Sequence, residues 1–305
     1  MKIFFLAIFL ITNCLSATPI DFKSLKIDYT GMPELKTISA RDGYSLEYRI
    51  YESSSKNILI LLHGSGWHSQ YLYPLAKKIA ADGLAKVYTP NLRGHGINTK
   101  ARGDVNYIGQ LDDDLADFVA FVRKQNPTSR IILGGHSSGG GLAVRFSSTA
   151  SSKEIAAYLL LAPHFAHDAP TVRKDSNWAQ PKIGKIVSIS ILNRLGIHCF
   201  DHTVVIEFNL PDQYRNGTET TAYTHALLNS FTADQYQDNL QKISKPLLLL
   251  VGDNDEILLP QEFSRIMPNK KNIEIQIIPK INHIGVVTDQ SVLRYIQDWM
   301  STAFN

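Results

Sequence analysis

Gly134-Gly135-His136-Ser137-Ser138-Gly139-Gly140 follows the apolar run Ile131-Ile132-Leu133 and leads into Leu142-Ala143-Val144-Arg145-Phe146. This order predicts a strand, a tight turn and a helix, with Ser137 at the apex. Glycines at 135 and 139 remove Cβ atoms that so sharp a reversal would drive together, and they let the helix pack close behind the strand. A serine hydroxyl presented in this way suits attack on a carbonyl carbon. Gly-x-Ser-x-Gly arises easily by chance, but at a strand-to-helix junction it is a specific signal.

A serine hydroxyl is a poor nucleophile at neutral pH, so Ser137 needs a base, and the base needs a carboxylate to orient it. The apolar run 247–251 ends in Gly252-Asp253-Asn254-Asp255-Glu256-Ile257, and His283 lies just past the β-like run 273–278. A carboxylate at the C-terminal edge of a parallel strand faces the same side as a serine at the end of another. Asp253, Asp255 and Glu256 all qualify on placement. Among the other histidines, His63 and His95 fit structural positions, His136 fills the variable place beside Ser137, and His164, His198 and His225 are expected to be surface or satisfied residues. His68 and His167 are expected at the border of the pocket.

No metal or cofactor is expected. The chain has no His-Glu-x-x-His or paired-cysteine spacing, and Asp112-Asp113-Asp114 fits the acidic first turn of a helix. Gly139-Gly140-Gly141 lacks the lysine of a phosphate-binding loop.

Thirty-one basic and 28 acidic residues give a formal charge of +3 without a basic block, so nucleic acid is not an expected partner. The 305 residues, 44% of them hydrophobic, can bury a large core. At the N-terminus, Lys2 precedes a short apolar run that ends in Asn13-Cys14-Leu15-Ser16-Ala17. This pattern predicts a signal peptide over residues 1–17 and export to the periplasm or beyond, the alternatives being an uncleaved anchor or lipidation at Cys14. Cleavage would leave Cys199 without a disulfide partner, so packing has to hold the mature chain together.

Strands and helices alternate along most of the remainder. A hairpin is expected across Asp42-Gly43, followed by a buried strand over 58–62, a helix containing Leu72 to Ala80, and a strand at Val87-Tyr88. A helix with Leu111, Leu115, Phe118, Val119 and Val122 on one face precedes the strand that leads to Ser137. Further strands fall at 157–162, 246–251 and 273–278, and a last helix carries Val292, Tyr295, Ile296 and Trp299. This rhythm predicts an α/β fold with a mostly parallel sheet flanked by helices. Residues 164–245 are too long for an ordinary connection and are expected to form an inserted cap between core segments 18–163 and 246–305. Within it, Ile183, Ile186, Val187, Ile189, Leu192 and Leu195 make an apolar helical face, expected to pack on the sheet domain or else to line an acyl pocket or touch lipid.

The chain resembles the α/β-hydrolases, and among them the monoglyceride lipase and lysophospholipase branch, which shares its domain type with the S33 serine aminopeptidases. The resemblance rests on His63-Gly64-Ser65-Gly66-Trp67-His68-Ser69, Asn91-Leu92-Arg93-Gly94-His95-Gly96, Gly135-His136-Ser137-Ser138-Gly139-Gly140, Gly252-Asp253-Asn254-Asp255 and His283, in that order. Asn91 stands where the family commonly has Asp. The resemblance implies Ser137, Asp255 and His283 as a catalytic triad, with Asp255 selected by its place three residues after Gly252. It also implies an oxyanion hole from the backbone N–H groups of Ser65 and Ser138. The implied activity is hydrolysis of a carboxylic ester of an acyl lipid, such as a monoacylglycerol or lysophospholipid; peripheral membrane contact through the cap is suggested separately by the apolar face within 164–245. The alternatives are a serine aminopeptidase or amidase on the same scaffold and a hydrolase-fold binding protein without catalysis.

Overall fold

A computed structural model describes residues 20–304, so the expected leader and Cys14 lie outside the described residues. The chain opens with the hairpin of β1 (Lys36–Ser39) and β2 (Ser45–Tyr51), in antiparallel register from Lys36 opposite Tyr48 to Ser39 opposite Ser45. The turn between them carries Gly43 at φ 79°, a left-handed conformation that favours glycine. Then follow β3 (Asn57–Leu62), α1 (Tyr73–Ala81), β4 (Lys86–Pro90), α2 (Gln110–Gln125), β5 (Arg130–His136), α3 (Ser138–Phe146) and β6 (Ile155–Leu161).

The segment after β6 supplies β7 (Ala179–Pro181), α4 (Ile183–Arg194), β8 (Val204–Phe208), β9 (Ala222–Thr224), α5 (His225–Phe231) and α6 (Tyr236–Lys242). Thereafter β10 (Leu247–Gly252), α7 (Phe263–Ile266), β11 (Ile273–Ile278), α8 (Gly285–Thr288) and α9 (Leu293–Ala303) complete the chain.

Eight strands form the main sheet in the order β1-β2-β4-β3-β5-β6-β10-β11. The pairs β1/β2 and β2/β4 are antiparallel and the others parallel. This is the expected α/β-hydrolase architecture. Its central strands are apolar on both faces because helices cover both, and Ile60, Leu61, Leu62, Leu133, Leu160 and Leu249 are fully buried. On α2, Leu111, Leu115, Phe118, Val119 and Val122 form the buried face. The acids of its first turn each meet an arginine: Asp112 meets Arg145, Asp113 meets Arg41 and Asp114 meets Arg93, at 2.6, 2.6 and 2.7 Å.

The chain passes from β3 to β4 on one side and then crosses back to place β5 on the other. The loops leaving the C-terminal ends of β3 and β5 therefore diverge, and a crevice opens between them. Over that crevice lies the inserted segment, where β7, β8 and β9 form a separate antiparallel sheet. Thr220 bridges from it to Gly66 in the loop after β3. The later part of the expected insertion behaves differently, since α5 packs on α2 and α3, and α6 packs on α3, as helices of the main sheet do.

The apolar face of α4 does not pack on the sheet domain. Only Ile189 is buried, while Ile183, Val187, Ile191 and Leu195, spaced four apart on one stripe, are 52%, 51%, 52% and 72% exposed. Ile186 and Leu192 are half-buried, so the apolar residues of the helix are divided between a covered side and the exposed stripe.

Candidate active site

Ser137 sits between β5 and α3 at φ 53° and ψ −123°. A non-glycine residue in this region stores roughly 1–3 kcal/mol of strain and persists only where its surroundings enforce it. They do so here through backbone bonds: the Ser137 N–H donates to the Leu161 carbonyl at 2.9 Å, and the Ser137 carbonyl accepts from His164 and Gly140, both at 2.9 Å. The flanking glycines permit the approach. A Cβ on Gly135 would stand 2.2 Å from the Gly139 carbonyl carbon, and one on Gly139 would stand 2.5 Å from the His63 carbonyl oxygen.

His283, in the loop after β11, lies 2.8 Å through Nδ1 from Asp255 Oδ2. The remaining Asp255 oxygen, Oδ1, accepts from the N–H groups of Ile257 and Leu258 at 2.9 and 2.7 Å. With both oxygens engaged as acceptors, the His283 proton belongs on Nδ1, which leaves Nε2 as the basic nitrogen. The neighbouring acids are engaged elsewhere. Asp253 is exposed and accepts from the Lys280 N–H at 2.6 Å. Glu256 is buried and accepts from the His283 N–H at 3.0 Å and from the Asp21 N–H at 2.9 Å. Of the three acids that placement alone left open, Asp255 is the one whose side chain meets the His283 ring.

Ser65 follows β3, and the amides on either side of it are held by tyrosines. The Gly64 N–H donates to Tyr71 Oη at 2.7 Å, and the Gly66 N–H donates to Tyr223 Oη at 3.2 Å. Each tyrosine hydroxyl then donates a hydrogen bond to a buried histidine. Tyr71 bonds His136 Nδ1 at 2.8 Å, and His136 Nε2 bonds the His283 carbonyl at 2.9 Å. Tyr223 bonds His95 Nε2 at 2.6 Å, and His95 Nδ1 bonds the Arg93 carbonyl at 3.0 Å. A carbonyl only accepts, so its histidine partner carries the proton on that side and accepts the tyrosine O–H on the other. Burial first, and a neighbouring histidine second, hold His95 and His136 well below the usual histidine range, which keeps both neutral.

The loop therefore has its flanking amides consumed, while the Ser65 N–H has no acceptor among the described residues. Ser138, in the first turn of α3, likewise has no helical carbonyl four residues back to bond. Two unspent amides, one from the β3 loop and one from a helix N-terminus, suit a developing oxyanion. Their side chains bond each other, Ser65 Oγ to Ser138 Oγ at 2.6 Å, and so tie the two loops together.

Ser65, Ser137 and His283 line one narrow cavity, with Trp67, Trp178, Ile257 and Ile284 among its walls. The Ser137 hydroxyl makes no hydrogen bond among the described residues, as is common before a substrate tightens such a site. His68 is buried and bonded to Thr218 Oγ1 at 2.9 Å, and neither it nor the exposed His167 reaches this wall.

A second Ser-His-Asp alignment occurs in the cap. Ser190 Oγ lies 3.1 Å from His225 Nε2, and His225 Nδ1 lies 3.0 Å from Asp201 Oδ1. It lacks what surrounds Ser137. Ser190 is within α4, where backbone amides are spent in the helix, so the group serves to hold α4 against α5. Tyr71, Tyr223 and Glu256 are site residues whose contacts no local spacing announced, since their partners lie 7 to 235 residues away.

A family model described as serine aminopeptidase, S33 matches residues 53–286. A monoacylglycerol lipase of Mycolicibacterium smegmatis is 23% identical over 249 residues, covering 79% of this chain and 86% of that protein. The proline iminopeptidase PfmaB of Pestalotiopsis fici is 22% identical over 264 residues, covering 79% and 90%. Among solved structures, a soluble variant of the monoglyceride lipase of Saccharomyces cerevisiae, in complex with a substrate analog, superposes with a TM-score of 0.69 at 17% identity, covering 94% of this chain and 98% of that one. The model match spans most of the chain and includes the β3 loop, Ser137, Asp255 and His283: this protein belongs to the serine aminopeptidase S33 family, and it is an α/β-hydrolase with the architecture of the monoglyceride lipases.

Proposed function

We propose that this protein is an exported serine hydrolase that cleaves a carboxylic ester of an acyl lipid, of the monoacylglycerol or lysophospholipid kind. The observation that carries this reading is the Asp255–His283 bond on the wall that also holds Ser137, between two unspent amides. Ser137 Oγ attacks the ester carbonyl while His283 Nε2 takes its proton, and the Ser65 and Ser138 amides hold the oxyanion. As the tetrahedral adduct collapses, His283 returns the proton to the departing alcohol and an acyl-serine remains. Water then attacks the acyl carbon, losing a proton to His283, which hands it to Ser137 as the acid leaves. Asp255 keeps the imidazole in the required tautomer and stabilises its charged form.

The cavity lining favours an ester over an aminoacyl substrate. Among the described residues none of those that line the cavity is acidic, so a substrate ammonium group would find no carboxylate there, whereas indoles and aliphatic side chains suit an acyl chain. A panel of p-nitrophenyl alkanoates and aminoacyl anilides tests this: turnover confined to the esters is expected, and preferential cleavage of the anilides would overturn it.

The cap reading also follows from an observation. The exposed stripe Ile183, Val187, Ile191 and Leu195 lies beside exposed Lys185 and Arg194, which suits an anionic lipid surface. Docking of α4 there would bring the crevice beneath the cap close to a membrane-borne ester.

A further inference from the structure

Resting on the esterase reading above, a further assignment concerns the segment that precedes the hydrolase core. Residues 20–25 lie far outside the βα succession, yet Ile20, Phe22 and Leu25 all line the cavity that holds Ser137. Phe22 is 7% exposed, in a short helical turn (Phe22–Leu25), and its ring centroid stands 5.9 Å from Trp67 and 6.0 Å from Trp178. Those two indoles are themselves stacked at 5.7 Å with an interplanar angle of 7°. One comes from the loop that carries Ser65 and the other from the cap. The three rings thus join three distant parts of the chain around one side of the cavity.

The segment is fastened to the catalytic machinery. The buried Glu256 carboxylate accepts the Asp21 N–H on one oxygen and the His283 N–H on the other, and Asn282 Nδ2 donates to the Asp21 carbonyl at 3.3 Å. Phe22 also packs on Ile284, the residue after His283. A wall held this way has a fixed place relative to the reacting atoms. Because it is aromatic and rigid, it bounds the room for a hydrocarbon chain instead of yielding to it.

We infer that Phe22 is a specificity-determining residue: with Trp67 and Trp178 it closes the cavity beside Ser137 and sets the length of acyl chain accepted. Cutting the ring back with Phe22→Ala opens space where chain carbons would lie, and Phe22→Trp takes space away. The expected readout is the ratio of kcat/KM for p-nitrophenyl dodecanoate to that for the butanoate. It should rise about tenfold or more in Phe22→Ala and fall in Phe22→Trp, since a hydrophobic pocket discriminates by about that much for each methylene it can or cannot seat.

Phe22 belongs to a small buried cluster with Leu210 and Ile284, beside the main core. Should Phe22→Ala fail to fold, Phe22→Trp and Phe22→Leu supply the same comparison. A ratio that stays constant across the variants, with all chain lengths moving in parallel, would overturn the inference. Labelling of the wild-type protein by a fluorophosphonate separates this from the reading beneath it. Labelling with an unchanged ratio removes only the role of Phe22, whereas no labelling removes the esterase reading and this inference with it.

Discussion

His136 Nε2 stands 2.9 Å from the backbone carbonyl oxygen of His283, and the two rings lie 4.8 Å apart. The residue beside Ser137 thereby holds the loop that carries His283. Through Tyr71 the same histidine is joined to the Gly64 amide, so the Ser137 turn, the His283 loop and the loop after β3 share one set of hydrogen bonds. Its neutrality matters to that arrangement: when His283 takes a proton, the ring beside it adds no opposing charge.

Tyr71→Phe removes both bonds of the tyrosine hydroxyl, leaving a buried N–H and a buried imidazole nitrogen unpartnered. The expected outcome is a fall in kcat of about 10- to 100-fold with a much smaller change in KM, since the loss is in alignment of reacting groups. Steady-state kinetics on a short soluble ester measure the split. A purely structural tyrosine would lower the folded fraction and leave kcat per folded molecule unchanged.

Ser137→Ala should cost several orders of magnitude in ester turnover while leaving the thermal midpoint near its original value. It should also abolish covalent labelling by a fluorophosphonate. Residual hydrolysis near the wild-type rate would dismiss Ser137 as nucleophile.

Acid should destabilise the fold steeply. Burial lowers His63 to about 4 and His68 to about 3, below an unfolded value of about 6.5, and holds His95 and His136 lower than usual as well. Between the folded and unfolded values the unfolded chain binds more protons, so stability present above about pH 6.5 is lost as pH falls. Each such histidine contributes about 1.4 kcal/mol per pH unit within that window, or roughly 3 kcal/mol for His63 by pH 4. Thermal midpoints measured from pH 7.5 down to 4.5 should drop accordingly. His68→Gln should make the drop shallower, and an unchanged slope would count against a buried, neutral His68.

Asn91 accepts from the Ser69 hydroxyl and amide through Oδ1, at 2.6 and 3.1 Å, and donates through Nδ2 to Glu47 Oε2 at 3.0 Å. The amide is required because Glu47 faces it, which explains the departure from the Asp common at this position. Asn91→Asp would set two buried carboxylates against each other and should cost about 2–4 kcal/mol at pH 7. Adding Glu47→Gln should recover most of that loss in urea denaturation. Independent, additive effects of the two substitutions would contradict the pairing.

On the cap, Ile191→Asp with Leu195→Asp should reduce sedimentation with anionic phospholipid vesicles several-fold while hydrolysis of a soluble butanoate ester persists. Equal sedimentation of variant and wild type would remove α4 as the lipid contact.

The alternation of strands and helices was legible from the chain because hydrophobic periodicity is a local property. For the same reason, the turn at Ser137 was recognisable: neighbouring residues dictate the reversal, and two glycines permit it. Which partner covers an apolar face is not local, and α4 shows the consequence: sequence left packing on the sheet domain and contact with a pocket or lipid both open, and the stripe meets solvent. The division of labour among Asp253, Asp255 and Glu256 was not legible from strand placement, and only the family resemblance, through position after Gly252, singled out Asp255. That division depends on where the His283 loop folds back across β10, which hands Lys280 to the first, the imidazole to the second and a backbone amide to the third. The sequence by itself determined the elements and the sharp turn at Ser137, because nearest neighbours and period decide those. Tertiary structure alone decided the tyrosine–histidine bonds around Ser65 and the placing of Phe22 in the cavity, because hydrogen bonds and ring contacts between residues tens to hundreds of positions apart exist only once the sheet has brought them together.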